Sequence, residues 1–395
     1  MSNLSVRVLG SIHAIEAKAW NACHGASCPF LSWEFLALLE DCGAVGPEAV
    51  WAPAHAELSD EGRVIAYIPL YTLAGSEGSF VWDDGMEEVA RALRLHWFPK
   101  LVAAVPFTPA PIWRPLVSPG EHEDSVIDAC LGAVAELARS GLFSGAHLHW
   151  TDPLIGSAIG RHAAARLDGD AGNWISWRRQ VYRWENQGYA SFADFTGSFS
   201  KNMRRNVARD KADVVSAGIA VKVIRGDEAD PGLWTRMADY YERTNDKFGP
   251  WAARFLPRSF FEMAAERIGP LVRFSAAYGT DSGYPVAMAM LFEGDDMIWG
   301  RYWGATRDLP GLHFETCYYA PIAYAIHEGI SGFDPGMGSH HKARRGFRSL
   351  LAGSYHLVFD PRLRSVYADA LSRASIEEAA FVDELNADLP FRHKE

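Results

Sequence analysis

Residues 272–303, VRFSAAYGTDSGYPVAMAMLFEGDDMIWGRYW, decide the fold class. Three apolar runs, 272–278, 286–292 and 297–303, are separated by TDSGYP and EGDD, two clusters of turn-forming residues. Such punctuation predicts three consecutive strands that double back on one another. The next segment changes character. Residues 314–328, FETCYYAPIAYAIHE, are strongly apolar and long enough for a helix, with Gly329 as the stop. A short strand at 332–335 then runs into the glycine-rich turn Gly336-Met337-Gly338. A meander, a helix and a returning strand predict α/β architecture with a mixed sheet, not a doubly wound parallel one.

Upstream, residues 180–185 and 219–224 read as strands, and 200–217, 233–248 and 258–268 as helices. Downstream come a strand at 354–359 and a helix over 363–385. The first half alternates similarly. Residues 15–20, 33–41 and 125–140 carry helical spacing, the last stopped by Gly141, whereas 64–72 and 146–150 (AHLHW) read as strands. The Pro-rich stretch 99–119, with PFTPAP and WRP, predicts an ordered loop containing neither helix nor central strand. A chain of 395 residues suits two domains, placed at 1–178 and 179–395.

Composition narrows the function classes. Apolar residues at 48% against 22% charged exclude general disorder. A net charge of -11, from 49 acidic and 38 basic side chains, disfavours a nucleic-acid coat protein. The N-terminus shows no secretory signal pattern and no run is long enough to span a membrane, so a cytoplasmic protein is expected, with at most peripheral contact at the inner membrane. The five cysteines include no CxxC pair, which points to reduced thiols. Fourteen Trp residues need placing, several beside Pro or Gly, as in HWFPK, PIWRP and GPWAARF. Core packing accounts for most. Those in loops are harder to bury and suit the wall of an apolar cleft. No dinucleotide fingerprint, phosphate loop or serine elbow occurs.

Several rare strings resemble a bacterial family in the right order: CPFLSWEFLALLEDCGAVG, PKLVAAVPFTPA, YRWENQGYASFADFTGSFSKNMRRNVARDKADVVSAGIAV, YYERTNDKFG, RYWGATRDLPGLHFETCYYAPIAYAIHEGI and FDPGMGSHHKARRGF. They are similar to FemAB-like proteins, the peptidoglycan biosynthesis/recognition-type N-acyltransferases of the GNAT superfamily, a group near which some bacterial ceramide synthases fall. The resemblance implies two GNAT-like domains with mixed sheets flanked by helices, enclosing a cleft where an acyl group moves onto an amine. Fem ligases take their acyl group from aminoacyl-tRNA, ordinary GNAT enzymes from acyl-CoA. The usual acyl-CoA loop, Q/RxxGxG/A, is absent from this chain.

Under that resemblance the catalytic candidates are His313, Glu315, His341 and Lys342. His313 is a general-base candidate, with Glu315 to orient it or bind the amine. Lys342 would stabilise an oxyanion or a phosphate, and His341 would carry a proton. The bland alternative for His313 and Glu315 is an ordinary helix start with an acidic first turn. Where the family has Ala-Gln-Gly-Glu, this chain has Met337, Gly338, Ser339 and His340, so substrate preference does not carry over. A zinc site from His313, Glu315 and His341 is disfavoured, and no metal or tightly bound cofactor is expected.

Donor phosphates would meet Lys201, Arg204, Arg205 and Arg209, which share a helical face, together with Arg301 and the pair Arg344 and Arg345. For Arg301 the alternative is simple packing among Trp299 and Trp303, and for the basic face a solvated surface partly neutralised by Asp210 and Asp213. Tyr302, Trp303, Phe107, Thr108, Trp113 and Trp251 are the candidates for lining the substrate cleft. Acyl-CoA as co-substrate with a long-chain or sphingoid amine is the expected pairing. An aminoacyl-tRNA-dependent transferase and a catalytically idle binding protein are the alternatives. Oligomeric state is not read from the sequence.

Overall fold

The computed structural model describes residues 4–24, 28–81, 83–140, 143–164, 174–280 and 282–392. It forms two compact units. The first comprises Met1–Ala26, Phe30–Gln180 and Leu351–Phe381, and the second Ser27–Pro29, Val181–Leu350 and Val382–Glu395. The sequence places all of 179–395 in the second domain, whereas Leu351–Phe381 belongs with the first unit. The reason is strand pairing: His356 stands opposite His147 and Val358 opposite Gly145.

In the first unit, Tyr71–Leu73 lies between Trp51–Pro53 and Lys100–Ala103, and Lys100–Ala103 runs parallel to Gly145–Thr151. A separate sheet joins Leu4–Leu9, His55–Asp60, Arg63–Ile68 and Leu116–Val117. The helix Glu123–Ser140 packs Ile127, Leu131 and Val134 against Leu101, Ala146 and Leu148. Its expected stop, Gly141, lies outside the described residues, as does Trp82. Two expectations change here. Residues 64–72 form two strands rather than one, because Pro69 has no N–H to carry the ladder. The Pro-rich stretch contains a central strand, Lys100–Ala103, because its prolines resume only at Pro106.

The second unit is the mixed α/β layout expected from the meander. Ile219–Arg225, Val272–Gly279, Ala287–Glu293 and Met297–Ala305 pair antiparallel in that order. Gly332–Asp334 then joins Met297–Ala305 in parallel and pairs antiparallel with Trp184 and Glu185. Helices Lys201–Ser216, Pro231–Asp246, Arg258–Ile268 and Ala320–Glu328 flank this sheet. Ser200 caps the first of them, accepting from the Met203 N–H. Its buried residues Val207, Asp210 and Val214 recur at helical spacing, so a charged side chain sits on the inward face. Among the described residues no helix is long and apolar enough to cross a membrane.

Gly311 fixes how the next helix meets that inward face. Its φ is 75°, and a Cβ there would lie 2.2 Å from the Asp210 carbonyl oxygen. Only glycine permits both the left-handed turn and this approach. Gly311→Ala is expected to cost at least about 1–2 kcal/mol for the left-handed conformation alone, with the clash on top. Urea denaturation measures it, and an unchanged midpoint would contradict the close approach.

Candidate active site

The site is built where two parallel strands part. Met297, Ile298 and Trp299 face Gly332, Phe333 and Asp334; Gly332–Asp334 then ends, while its neighbour continues to Ala305. On the other edge the register slips: Met290 faces Tyr302 but Leu291 faces Gly300, leaving Arg301 as an extra residue. Such a bulge bends a strand locally. Ligands in α/β sheets bind outside the carboxyl ends of parallel strands, and here those ends lead to Trp303 and to the loop starting at Pro335.

Lys342 holds that loop. Its buried ammonium donates to the carbonyls of Gly336 (3.0 Å), Met337 (2.6 Å) and Gly338 (2.8 Å). These bonds use all three N–H groups. Gly336, Gly338 and Ser339 all have positive φ, the first two without a Cβ penalty. Asp334 anchors the loop's start, accepting from the Gly336 N–H at 2.7 Å and from Arg301 at 3.4 Å. Burial lowers the Lys342 pKa to about 8, partly opposed by Asp334. Lys342 is thus a loop staple, not the oxyanion donor expected from the sequence. Arg301 is likewise buried against Asp334 rather than presented to a phosphate.

His313 sits edge-on to Trp303, with ring centroids 4.9 Å apart. Cys317 Sγ approaches Nδ1 at 3.4 Å and Tyr318 Oη approaches Nε2 at 3.3 Å. Burial raises the pKa of both neighbours, so both keep their protons. A neutral ring therefore accepts from one and donates to the other. Burial lowers the His313 pKa to about 4, and the charges of Lys342 and Arg345 add to that shift. His313 is a neutral imidazole throughout the physiological range.

Glu315 does not orient His313. Its carboxylate takes two bonds from Lys211, at 2.7 and 2.9 Å. Glu315–Tyr319 forms a wide π-helical turn, a distortion that recurs at functional sites. It also brings Tyr319 Oη within 2.8 Å of Asp210. The same carboxylate pairs with Arg345 at 3.2 Å, and the Arg345 guanidinium lies 3.2 Å from the Phe314 ring centroid. Phe314 in turn meets His341, centroid to centroid 6.0 Å. Sequence patterning gave no signal for Lys211 or Tyr318, and it placed Asp210 on a solvated basic face, whereas Asp210 is buried and paired with Arg345. Their importance rests on contacts 104–135 residues apart in the chain, apart from Tyr318, which lies five from His313.

The remaining candidates divide. His341 is exposed, and His313, Glu315 and His341 do not converge into a metal-ligand group among the described residues. Lys201, Arg205 and Arg209 share an exposed stripe. Arg204 does not join it, because its guanidinium donates to the Phe199 carbonyl at 2.7 Å, closing the preceding turn. Arg344 is exposed beside Asp388, and Arg345 is buried, so the pair is split. Tyr302 packs on Tyr241 and Phe261, and Trp251 is 82% exposed. Phe107, Thr108 and Trp113 belong to the first unit and are buried. Trp113 is 0% exposed, with Nε1 donating to the Pro69 carbonyl at 2.9 Å. It is core, not cleft wall, and so is Trp97 of HWFPK.

Known proteins resemble this chain at two levels. The FemAB-like family profile, described as peptidoglycan biosynthesis/recognition, matches residues 11–393. Among solved structures, a conserved protein of unknown function from Bacteroides thetaiotaomicron VPI-5482 is 11% identical, with a TM-score of 0.51, covering 91% of this chain and 100% of its own. FemX is 11% identical with a TM-score of 0.47, covering 80% of this chain and 90% of its own. A tandem GNAT protein from the clavulanic acid biosynthesis pathway is 11% identical with a TM-score of 0.43, covering 90% of this chain and 98% of its own. No curated protein sequence matches.

The staple is testable without any substrate. Lys342→Met leaves the carbonyls of residues 336–338 without their donor and is expected to cost about 1–3 kcal/mol in denaturation. Lys342→Arg should not restore it, since a planar fork cannot address three carbonyls from one nitrogen. Wild-type stability in the Met variant, with unchanged amide exchange across the loop, would refute the assignment.

Proposed function

The chain belongs to the FemAB-like family of GNAT-fold acyl and aminoacyl transferases, and from that premise we propose that it is an N-acyltransferase with His313 as general base. The observation that carries this is the placement of His313: partly buried, edge-on to Trp303 and held by a neighbour at each ring nitrogen. The amine nitrogen attacks the carbonyl of the acyl donor and a C–N bond forms. The proton released from nitrogen passes to the imidazole. The bond from carbonyl to the donor's leaving group breaks, and the departing atom takes its electron pair. Lys342 and Arg345 disfavour the imidazolium, which drives the proton onward to the leaving group. Tyr318, kept protonated by burial, is a donor beside the same ring.

The donor in this proposal is acyl-CoA and the acceptor a long-chain amine, a sphingoid base being the most concrete case. Two features support it. The exposed stripe of Lys201, Arg205 and Arg209 suits phosphates. An apolar lip, with Trp251 82% and Phe248 57% exposed, suits a lipidic chain or a membrane surface. The lip is tied to the sheet through Tyr241, on the face opposite to Trp303 and His313. The Tyr241 hydroxyl donates to the Ala253 carbonyl at 2.7 Å, and its ring packs on Tyr302 at 5.2 Å. Aminoacyl transfer from tRNA is the second reading, consistent with a family described by peptidoglycan biosynthesis and served by the same basic stripe.

Incubating the chain with long-chain acyl-CoA and a sphingoid amine should release CoA and yield the amide, followed by mass spectrometry. Absence of amide with every long-chain amine, alongside transfer from charged tRNA, would select the second reading instead. His313→Ala should lower kcat/KM by about 10²–10⁴-fold with the fold retained. A base must be unprotonated to act, so the limb due to His313 should appear only near pH 4, separate from the limb at higher pH set by protonation of the acceptor amine. An acidic limb near the ordinary histidine value, about 6.5, would remove His313 from the role.

A further inference from the structure

A second group of histidines lies in the first unit, where strand pairing has already set His356 opposite His147. His147 and His149 alternate on the strand Gly145–Thr151, so both point to one face, while Ala146 and Leu148 enter the apolar core on the other. His356 stands directly opposite His147 on the antiparallel neighbour and shares that face. All three are 0% exposed. One ring nitrogen from each lies within 4.8 Å of the other two. His147 Nδ1 and His356 Nδ1 are 2.9 Å apart.

Their hydrogen bonding is incomplete. His147 Nε2, His356 Nε2 and both ring nitrogens of His149 have no hydrogen-bond partner within the protein. Trp177 Nε1 and Tyr367 Oη share this condition, and both rings adjoin His356, at 6.4 and 5.1 Å. Folded proteins rarely leave so many buried polar atoms unmet in one place unless an ion or ordered water completes them. Three imidazoles without a carboxylate are a ligand set for zinc and its first-row neighbours, not for magnesium or calcium. An imidazole ligates in its neutral form. The nearby Lys100 ammonium is paired with Asp83, which Trp97 Nε1 also holds at 2.8 Å, but its charge still opposes added positive charge at the three rings, so the ion must be held by its ligand bonds. Trp97 contacts His147, ring centroids 5.5 Å apart, and is among the residues that border a surface groove of about 550 Å³.

We propose that His147, His149 and His356 bind one imidazole-preferring divalent metal ion, zinc foremost. The ion would take Nδ1 of His147 and of His356, whose 2.9 Å spacing opens to the edge of about 3.3 Å that tetrahedral ligands at 2.0–2.1 Å require, and one unmet nitrogen of His149, leaving the two Nε2–H groups to ordered water. The site is independent of the acyl-transfer proposal, since its ligands include none of the residues assigned there.

The test uses the full chain. After gel filtration, elemental analysis should find close to one zinc or neighbouring metal per chain. Chelated protein titrated with Co²⁺ should develop visible absorption bands of a low-coordinate cobalt–imidazole site, saturating at one equivalent. His149→Phe should abolish both. If that variant does not fold, X-ray absorption of the wild-type metal protein decides, with three imidazoles expected at about 2.0–2.1 Å. Trace metal only, together with no cobalt bands, would show that water fills the position and overturn the proposal. Metal retained by a folded His149→Phe variant, or fewer than three imidazoles around the ion, would place the ion elsewhere and overturn it equally.

Discussion

The buried carboxylate of Asp210 is the point on which the second unit's site depends. A charge there is costly unless paired and hydrogen-bonded. Arg345 supplies the countercharge at 3.2 Å and Tyr319 a hydrogen bond at 2.8 Å. Arg345 also donates to the His341 carbonyl at 3.1 Å and lies over Phe314. One carboxylate thereby ties together the helix Lys201–Ser216, the π turn Glu315–Tyr319 and the helical turn His340–Arg345. Gly311 makes this reachable, because only without a Cβ does the backbone close onto Asp210. The next residue, Lys211, repeats the device with Glu315.

The cations at the site therefore organise it instead of awaiting a ligand. Arg345, Lys211 and Arg301 each face a carboxylate, and Lys342 faces three carbonyls. Their residual field still acts on His313, whose protonated form is opposed by Lys342 and Arg345 as well as by burial. Positive charge available to a donor lies on the surface, with Lys201, Arg205 and Arg209. Such exposed charges attract phosphates at a distance and are screened by salt, so they steer more than they hold.

Much of the second unit was legible because its signals are local. Apolar runs bounded by TDSGYP and EGDD became strands, Ser200 became a cap, and Gly329 ended its helix with φ 72°. Errors arose where a role depends on distant partners. Lys342 is one of three cationic types in HKARR, and only the fold shows that three carbonyls surround its nitrogen. Arg204 looked like part of a basic face because helical spacing is periodic, yet its side chain turns back to Phe199. The loop tryptophans misled for a related reason. A residue flanked by proline looks hard to bury, but Trp113 satisfies its single N–H on the Pro69 carbonyl, and the rest of the ring is free to enter the core.

The two sets of histidines show why burial alone assigns no role. Desolvation is the first cause of lowered basicity in His313 and in His147, His149 and His356 alike. What differs is the company. His313 has a hydrogen-bond neighbour at each nitrogen, a phenol and a thiol that both keep their protons and so hold the ring in place. The other three leave four nitrogens unmet and offer each other a single close contact. Protonating one of them would set a charge among neutral rings with no acceptor beside it, whereas a shared ion would engage all three lone pairs at once. Neutral imidazoles are thus divided by hydrogen-bond completeness: complete around the candidate base, incomplete around the candidate ligands.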